Sequence, residues 1–363
     1  MKIVHFAPFA PHRCGLYEAA RDMVRADTLR GHEALLVDTG VSPAYGQRDP
    51  GKVGAIDPRG GWVLETVAPE RALDADLWVC HDGVSDNLAA RCQVPMVWLI
   101  HGRPLACFRP EQEGKPGRPF SIVAELAAWP RVKALVTMWQ EFLPYWSMLV
   151  PPAKLRCTEN PPIDRARYKP TGKRHELDPA KAGKANLLIC DSWRDDVDVF
   201  EVAVACLVAA RRAPERGIKV HFWAVEQDKQ QAWQHVWRAL DQAGALGEVH
   251  AREEDMGRVY RVMTALITPH RIGVRTVGEA LSCGLPVVAA DGCRYTPWTA
   301  NPSDPEEMAD EILECVEHRT VGAAAAFDLD AFGKRMERIY QEALGLDPEP
   351  LMLGPLSLLT GAC

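Results

Sequence analysis

The sequence predicts a two-domain α/β protein built on parallel sheets. Short apolar runs alternate with segments of helical period along the chain, the pattern of parallel strands joined by helical crossovers. The alternation breaks at 150–184, a stretch holding six prolines, and restarts beyond it. The 363 residues also exceed what one ordinary core organises.

Taken in order, Lys2 to Phe6 is an apolar strand. Residues 15–30 place Leu16, Ala20, Met23 and Val24 at helical spacing and stop at Gly31. Leu35 to Val37 is the next strand, and 43–61, rich in Pro, Gly and charge, reads as a loop. Leu77–Cys80 and Met96–Ile100 are short buried strands ending in His81-Asp82 and His101. A long Pro/Gly loop covers 109–119, and Leu135 to Thr137 is a further strand. After the proline-rich link come a strand at 187–190, an apolar helix at 197–210, a strand at 220–223 and an amphipathic helix at 228–243. Strands at 264–268 and 285–290 flank a helix at 275–283. Asp304-Pro305-Glu306-Glu307 is a helix start, with an acidic cap, Pro at the first position and acid in the first turn. A charged helix at 329–345 and a loose tail complete the chain. The expected division is 1–165, 166–330, and a terminal helix with tail, 331–363, returning to the first domain.

Composition narrows the function classes. With 47% hydrophobic and 25% charged residues the chain is globular. Its net charge of -7 disfavours duplex nucleic acid as a routine partner. The eleven cysteines are scattered without a C-x-x-C pair, as expected of small buried side chains in a reducing cytoplasm. No apolar run approaches the roughly 18 residues of a membrane span, and the start reads as a strand, not a leader. A cytoplasmic placement without a membrane partner is therefore expected. The sequence carries no signal for an oligomeric state.

Open parallel sheets bind ligands at the carboxyl ends of their strands. There the chain places Pro8 to Gly15, His81, His101, Asp191 to Arg194 and Pro269 to Arg275. The segment from Thr268 to Ala289 is the most informative: a strand, a short loop with His270, Arg271 and Arg275, a helix opening near Thr276, and a buried strand after Pro286. A helix start there offers unpaired N–H groups and a positive dipole end to a diphosphate. Arg271 and Arg275 add mobile positive charge, and Glu279, one turn in, is placed to meet a ribose hydroxyl. Thr276-x-x-Glu279 is also a capping box, and Arg275/Glu279 also an i,i+4 ion pair.

That segment resembles the signature of the family-4 retaining glycosyltransferases of GT-B fold, P-S-x-x-E-G-F-G-x-x-x-x-E-A-x-A-x-G-x-P-V-V-A. The matching residues are Pro269, Gly273, Glu279, Ala280, Cys283, Gly284, Pro286, Val287, Val288 and Ala289. The family's first glutamate falls at Arg271. Cys14 to Glu18 with Arg30-Gly31-His32-Glu33 resembles the family's opening glycine loop and R-G-H-E step. Pro95 to Gly102 resembles a strand ending in His-Gly, and Asn160 to Pro170 the step between domains. The likeness covers roughly residues 1–320. It departs again after the first strand of the second domain, where the family's G-R-x-x-x-x-K-G is replaced by Ile189 to Asp198.

The resemblance implies two Rossmann-like domains facing across a cleft, and transfer of a sugar from a nucleoside-diphosphate sugar to an acceptor hydroxyl, with retention and without a metal. His101 and Glu279 become the candidate catalytic residues. Gly15, Ser192, Arg194, His270, Arg271, Arg275 and Thr276 become candidates for the donor; His12, Arg13, His81 and Asp82 for the acceptor. Gly15 lets backbone approach the donor without a Cβ, and Trp193 is placed to stack on a base or sugar. Asp196-Val197-Asp198 reads as helix capping, and no His/Cys/Asp set has metal-ligand spacing. No cofactor is expected. The acceptor stays open between a glycan, a small molecule and a hydroxymethylated base of DNA. A non-catalytic nucleotide-sugar binder and a sugar-nucleotide epimerase are the alternatives.

Overall fold

The structure, a computed structural model, describes residues 1–7, 15–38, 52–56, 62–66, 73–81, 91–101, 121–191, 198–225, 230–251, 253 and 255–346. His12, Arg13, Asp82, Ser192, Trp193 and Arg194, the 109–119 loop and the terminal tail lie outside the described residues.

The first domain contains β1 (Lys2–Ala7), α1 (Gly15–Leu29), β2 (Glu33–Asp38), β3 (Lys52–Ile56), β4 (Trp62–Thr66), β5 (Leu77–His81), β6 (Met96–Ile100), α2 (Ser121–Ala128), β7 (Val132–Thr137), α3 (Leu143–Trp146) and β8 (Leu155–Cys157). The second contains β9 (Ala185–Ile189), α4 (Val199–Arg212), β10 (Ile218–Phe222), α5 (Gln230–Gln242), β11 (Leu246–Val249), α6 (Met256–Tyr260), β12 (Ala265–Ile267), α7 (Arg275–Ser282), β13 (Val287–Ala290), β14 (Trp298–Ala300) and α8 (Pro305–His318), with α9 (Leu329–Leu344) last.

The strand orders are β4-β3-β2-β1-β5-β6-β7-β8 and β11-β10-β9-β12-β13-β14. The second sheet is parallel throughout, and the first is parallel except where β3 pairs antiparallel with β2 and β4. Both are Rossmann-like, with switch points between β1 and β5 and between β9 and β12.

The β3–β4 hairpin corrects part of the loop expected at 43–61. Its pairing on the outer edge of β2 overrides a turn-rich composition. β8 likewise forms inside the proline-rich link, where pairing with β7 supplies the hydrogen bonds that a three-residue run cannot make alone. Short outer strands β11 and β14 escaped the sequence pattern for the same reason.

Two helix starts show which local signals hold. Asp304 caps α8, accepting from the N–H groups of Glu306 and Glu307. Asp198 stands at the cap position of α4 but makes no side-chain cap, so the capping reading of Asp196-Val197-Asp198 fails at its one described aspartate. The last helix, α9, packs against α1 and β6 of the first domain; Phe332, Met336, Ile339 and Tyr340 join Ile3, Leu77, Val79, Val97 and Leu99 in one core.

Candidate active site

Strand parity builds the first half of the site. Side chains alternate across a strand, so Ile3 and His5, Leu77, Val79 and His81, and Val97, Leu99 and His101 all project to one face. Val4, Phe6, Trp78, Cys80, Met96 and Ile100 fill the core on the other. The histidines therefore line up across neighbouring strands on the face covered by α1 and α9.

Their rings form a chain: His5 Nε2 lies 2.8 Å from Asp27 Oδ2, His5 Nδ1 3.1 Å from His81 Nε2, and His81 Nδ1 2.9 Å from His101 Nε2. Tyr340 donates to the same Asp27 oxygen at 3.2 Å. Burial pushes His81 well below the usual imidazole range, and the His101 and His5 rings push the same way, so His81 stays neutral. Burial, and the Asp27 charge, push the Tyr340 hydroxyl well above its usual range, keeping it a donor.

A carboxylate only accepts, and a neutral imidazole has one N–H. In the neutral chain His5 therefore donates Nε2–H to Asp27. His81 then donates Nε2–H to His5, and His101 donates Nε2–H to His81. In this tautomer Nδ1 of His101 is an acceptor. His5 and Asp27 escaped the sequence reading; the odd-numbered histidine on each strand was the signal that could have found His5.

In the second half, Asp191 follows β9 and meets the chain leaving β12. Its Oδ2 accepts from the Thr268 hydroxyl at 3.0 Å, and its Oδ1 lies 2.9 Å from His270 Nε2. Asp191 thus holds the loop that leads to α7. That loop carries exposed Arg271 and then buried Ile272, which packs into the first domain's core. Trp139 of the first domain donates its indole N–H to Gly273 O at 3.1 Å. These contacts hold the start of α7 against the opposite domain.

Val274, not Thr276, is the cap residue of α7, and no side chain caps the helix. The expected capping box is absent because the helix begins two residues earlier than that motif requires. Thr276 is partly exposed in the first turn. Gly15 opens α1, exposed, and a Cβ built there meets nothing within 4 Å.

Arg275 corrects the expectation of mobile charge. It is buried, with Nη2 2.6 Å from Asp22 of α1, Nε 2.7 Å from Glu279 Oε1, and Nη1 donating to Pro162 O at 3.0 Å. Burial alone would lower the guanidinium; the carboxylates of Asp22 and Glu279 override it and hold it well above its usual value. Asp22, which burial would raise, is held below the ordinary carboxylate range by Arg275 and Arg21. Glu279 is wholly enclosed, and its Oε2 accepts from the Tyr260 hydroxyl at 3.0 Å. The i,i+4 pair foreseen in the sequence therefore exists, as part of a junction between the domains.

Residues 187–318 match the family described as Glycosyl transferases group 1. No curated protein matches the chain by sequence. Among solved structures, a sucrose-phosphate synthase from Thermosynechococcus elongatus superposes with a TM-score of 0.67 at 12% identity, over 95% of this chain and 99% of that one. A glycosyltransferase from Rickettsia africae gives 0.63 at 13% identity, over 94% and 98%. The HepE protein of Anabaena, in complex with UDP and glucose, gives 0.60 at 14% identity, over 95% and 100%. Among the described residues no helix is long and apolar enough to cross a membrane. The chain thus resembles the group 1 glycosyl transferases, whose family match it carries over residues 187–318, and it has the two-domain GT-B fold.

Proposed function

We propose that this protein is a glycosyltransferase that moves a sugar from a nucleoside-diphosphate sugar to an acceptor hydroxyl, with retention and without a catalytic metal. The observation that carries the reading is the arrangement of α7. Its uncapped N-terminus follows a loop fixed by Asp191 on one side and by Trp139 of the opposite domain on the other. Preorganised N–H groups stabilise charge developing on a leaving diphosphate without reorganising as it forms. Arg271, exposed in the same loop, supplies the mobile charge that buried Arg275 does not.

His101 directly follows β6, an interior strand of the first sheet. Its Nδ1 accepts a hydrogen bond from a hydroxyl of the transferred sugar and so orients the anomeric carbon. Glu279, wholly enclosed between Arg275 and Tyr260, acts as a positioning residue and touches no ribose hydroxyl; Thr276 and His270 lie beside the diphosphate; Gly15 leaves room for the sugar. His81, expected at the acceptor, is wholly enclosed with both ring nitrogens engaged by His5 and His101, so it touches no acceptor and acts through His101. The acceptor hydroxyl loses its proton to a leaving diphosphate oxygen as the new glycosidic bond forms on the face the diphosphate vacates.

UDP sugars are the first donors to test, because the HepE structure holds UDP and glucose and an Escherichia coli neighbour holds UDP-2-fluoro glucose. The experiment incubates the full chain with UDP-, GDP-, ADP-, TDP- and CDP-sugars and measures nucleoside diphosphate release, with and without acceptors and chelator. One donor consumed to the same extent in chelator supports the reading. No donor bound or consumed sinks it; binding without turnover favours the non-catalytic alternative.

A further inference from the structure

Away from the cleft, three side chains distant in sequence converge on one point. Glu248 lies in β11, His250 directly follows it, and His175 belongs to the chain entering the second domain. His175 Nε2 is 3.1 Å from Glu248 Oε2, and His250 Nε2 is 3.0 Å from the same oxygen. The three ligand atoms all lie within 4.8 Å of one another.

The surroundings fix this arrangement as the partners of a metal ligand set would. The second Glu248 oxygen accepts the backbone N–H of Asp178 at 2.6 Å. The other nitrogen of His175, Nδ1, lies 3.1 Å from Glu253 Oε1. His250 stacks on buried Trp223 at 4.5 Å between ring centres, and His175 meets the same indole edge-on at 5.3 Å. His221 takes no part as a ligand: its Nδ1 accepts from Glu248 N, so its Nε2–H faces Asn186 Oδ1 at 3.0 Å.

Each nitrogen of His175 faces a carboxylate, Nε2 that of Glu248 and Nδ1 that of Glu253. A cation between His175 Nε2, His250 Nε2 and Glu248 Oε2 leaves Nδ1–H to Glu253 and offsets the two carboxylate charges. A carboxylate that accepts the other ring N–H is the usual outer support of a metal-binding imidazole.

We propose that His175, His250 and Glu248 form a zinc site, supported by Glu253, that fastens the segment entering the second domain to its outermost strand. Two imidazoles and one carboxylate suit Zn²⁺, about 2 Å from each ligand, with the fourth position open to solvent beside half-exposed His250. No local motif marks such a site, because its ligands are not neighbours in the chain. The fold joins residue 175 to residues 248 and 250 across more than 70 intervening positions.

The test titrates ZnCl₂ into the metal-stripped full chain by calorimetry, beside His250→Ala, His175→Gln and Glu253→Gln. The wild-type chain is expected to bind one equivalent that both ligand variants lose. Glu253→Gln is expected to keep it at roughly 10- to 100-fold lower affinity. Co²⁺ in the wild type should give the intense visible bands of a four-coordinate ion, a reading that needs no variant to fold. No Zn²⁺ uptake by the wild type, or an equivalent retained by both ligand variants, overturns the proposal. Sugar-transfer activity enters neither outcome.

Discussion

Arg275 and Asp22 stand 2.6 Å apart on helices of opposite domains, both buried. The pair joins the helix that the family signature assigns to the donor to the helix that opens the first domain. Removing one member of a buried pair leaves an uncompensated charge and costs about 3–5 kcal/mol, whereas replacing both with apolar residues is far milder. Arg275→Leu and Asp22→Leu are each expected to lower the thermal midpoint sharply, and the double substitution to lose less than their sum, with buried Glu279 still left without its cation. Additive losses in calorimetry would show that the pair does not act as a unit.

The histidine chain makes a kinetic prediction. His101→Ala should reduce kcat roughly 10²-fold. Asp27→Asn touches no substrate, but an amide can donate to His5 and so reverse the chain, presenting the wrong tautomer at His101. Its kcat should fall roughly tenfold, the equivalent of about 1.4 kcal/mol, with donor KM little changed. Imidazole ¹⁵N shifts in labelled protein would report the tautomer directly. An unaltered His101 signal in Asp27→Asn would show that the relay does not set it.

Burial of His81 also makes stability depend on pH. Its folded pKa lies well below the ordinary 6.5, so below that pH the unfolded chain binds a proton that the folded chain resists. Stability contributed by neutral His81 is fully present above pH 6.5 and declines as pH falls toward the folded value. Denaturant midpoints measured from pH 7.5 to 5.5 should fall, and His81→Gln should flatten the slope while lowering the plateau. An identical slope in the variant would place the acid sensitivity elsewhere.

Glu279 and Tyr260 separate support from ligand contact. Tyr260→Phe removes one hydrogen bond to the carboxylate and should cost about 1 kcal/mol of stability with donor affinity nearly intact. Glu279→Gln should weaken nucleotide binding as well, by removing the charge that orders Arg275 at the start of α7. Equal donor affinity in both variants and wild type, read by calorimetry with UDP, would confine Glu279 to a structural role.

Gly278 shows packing overruling helix propensity. A Cβ there would lie 2.5 Å from Phe327 Cδ1 and 2.9 Å from Ile163 Cγ1. Alanine should gain about 1 kcal/mol in an exposed helix, but overpacking costs about 1–3 kcal/mol. Gly278→Ala is expected to lower the unfolding midpoint, and a raised midpoint would mean that this contact yields easily.

By itself the sequence determined the alternation of strands and helices, the two-domain fold class, and the order of the signature residues along the chain. These follow from local periodicity and from residues such as Pro269, Gly284 and Pro286, whose meaning is carried by neighbours in the chain. Even the common face of His5, His81 and His101 was latent in strand parity. Tertiary structure alone decided which charges are usable and which polar groups meet. Arg275 reads as an exposed cation until Asp22 arrives from the other domain. Asp27 reads as an ordinary helix residue until β1 brings His5 against it, and His175 has no local partner for Glu248. Pairing across long sequence separations depends on strand order and domain packing, which no local spacing records.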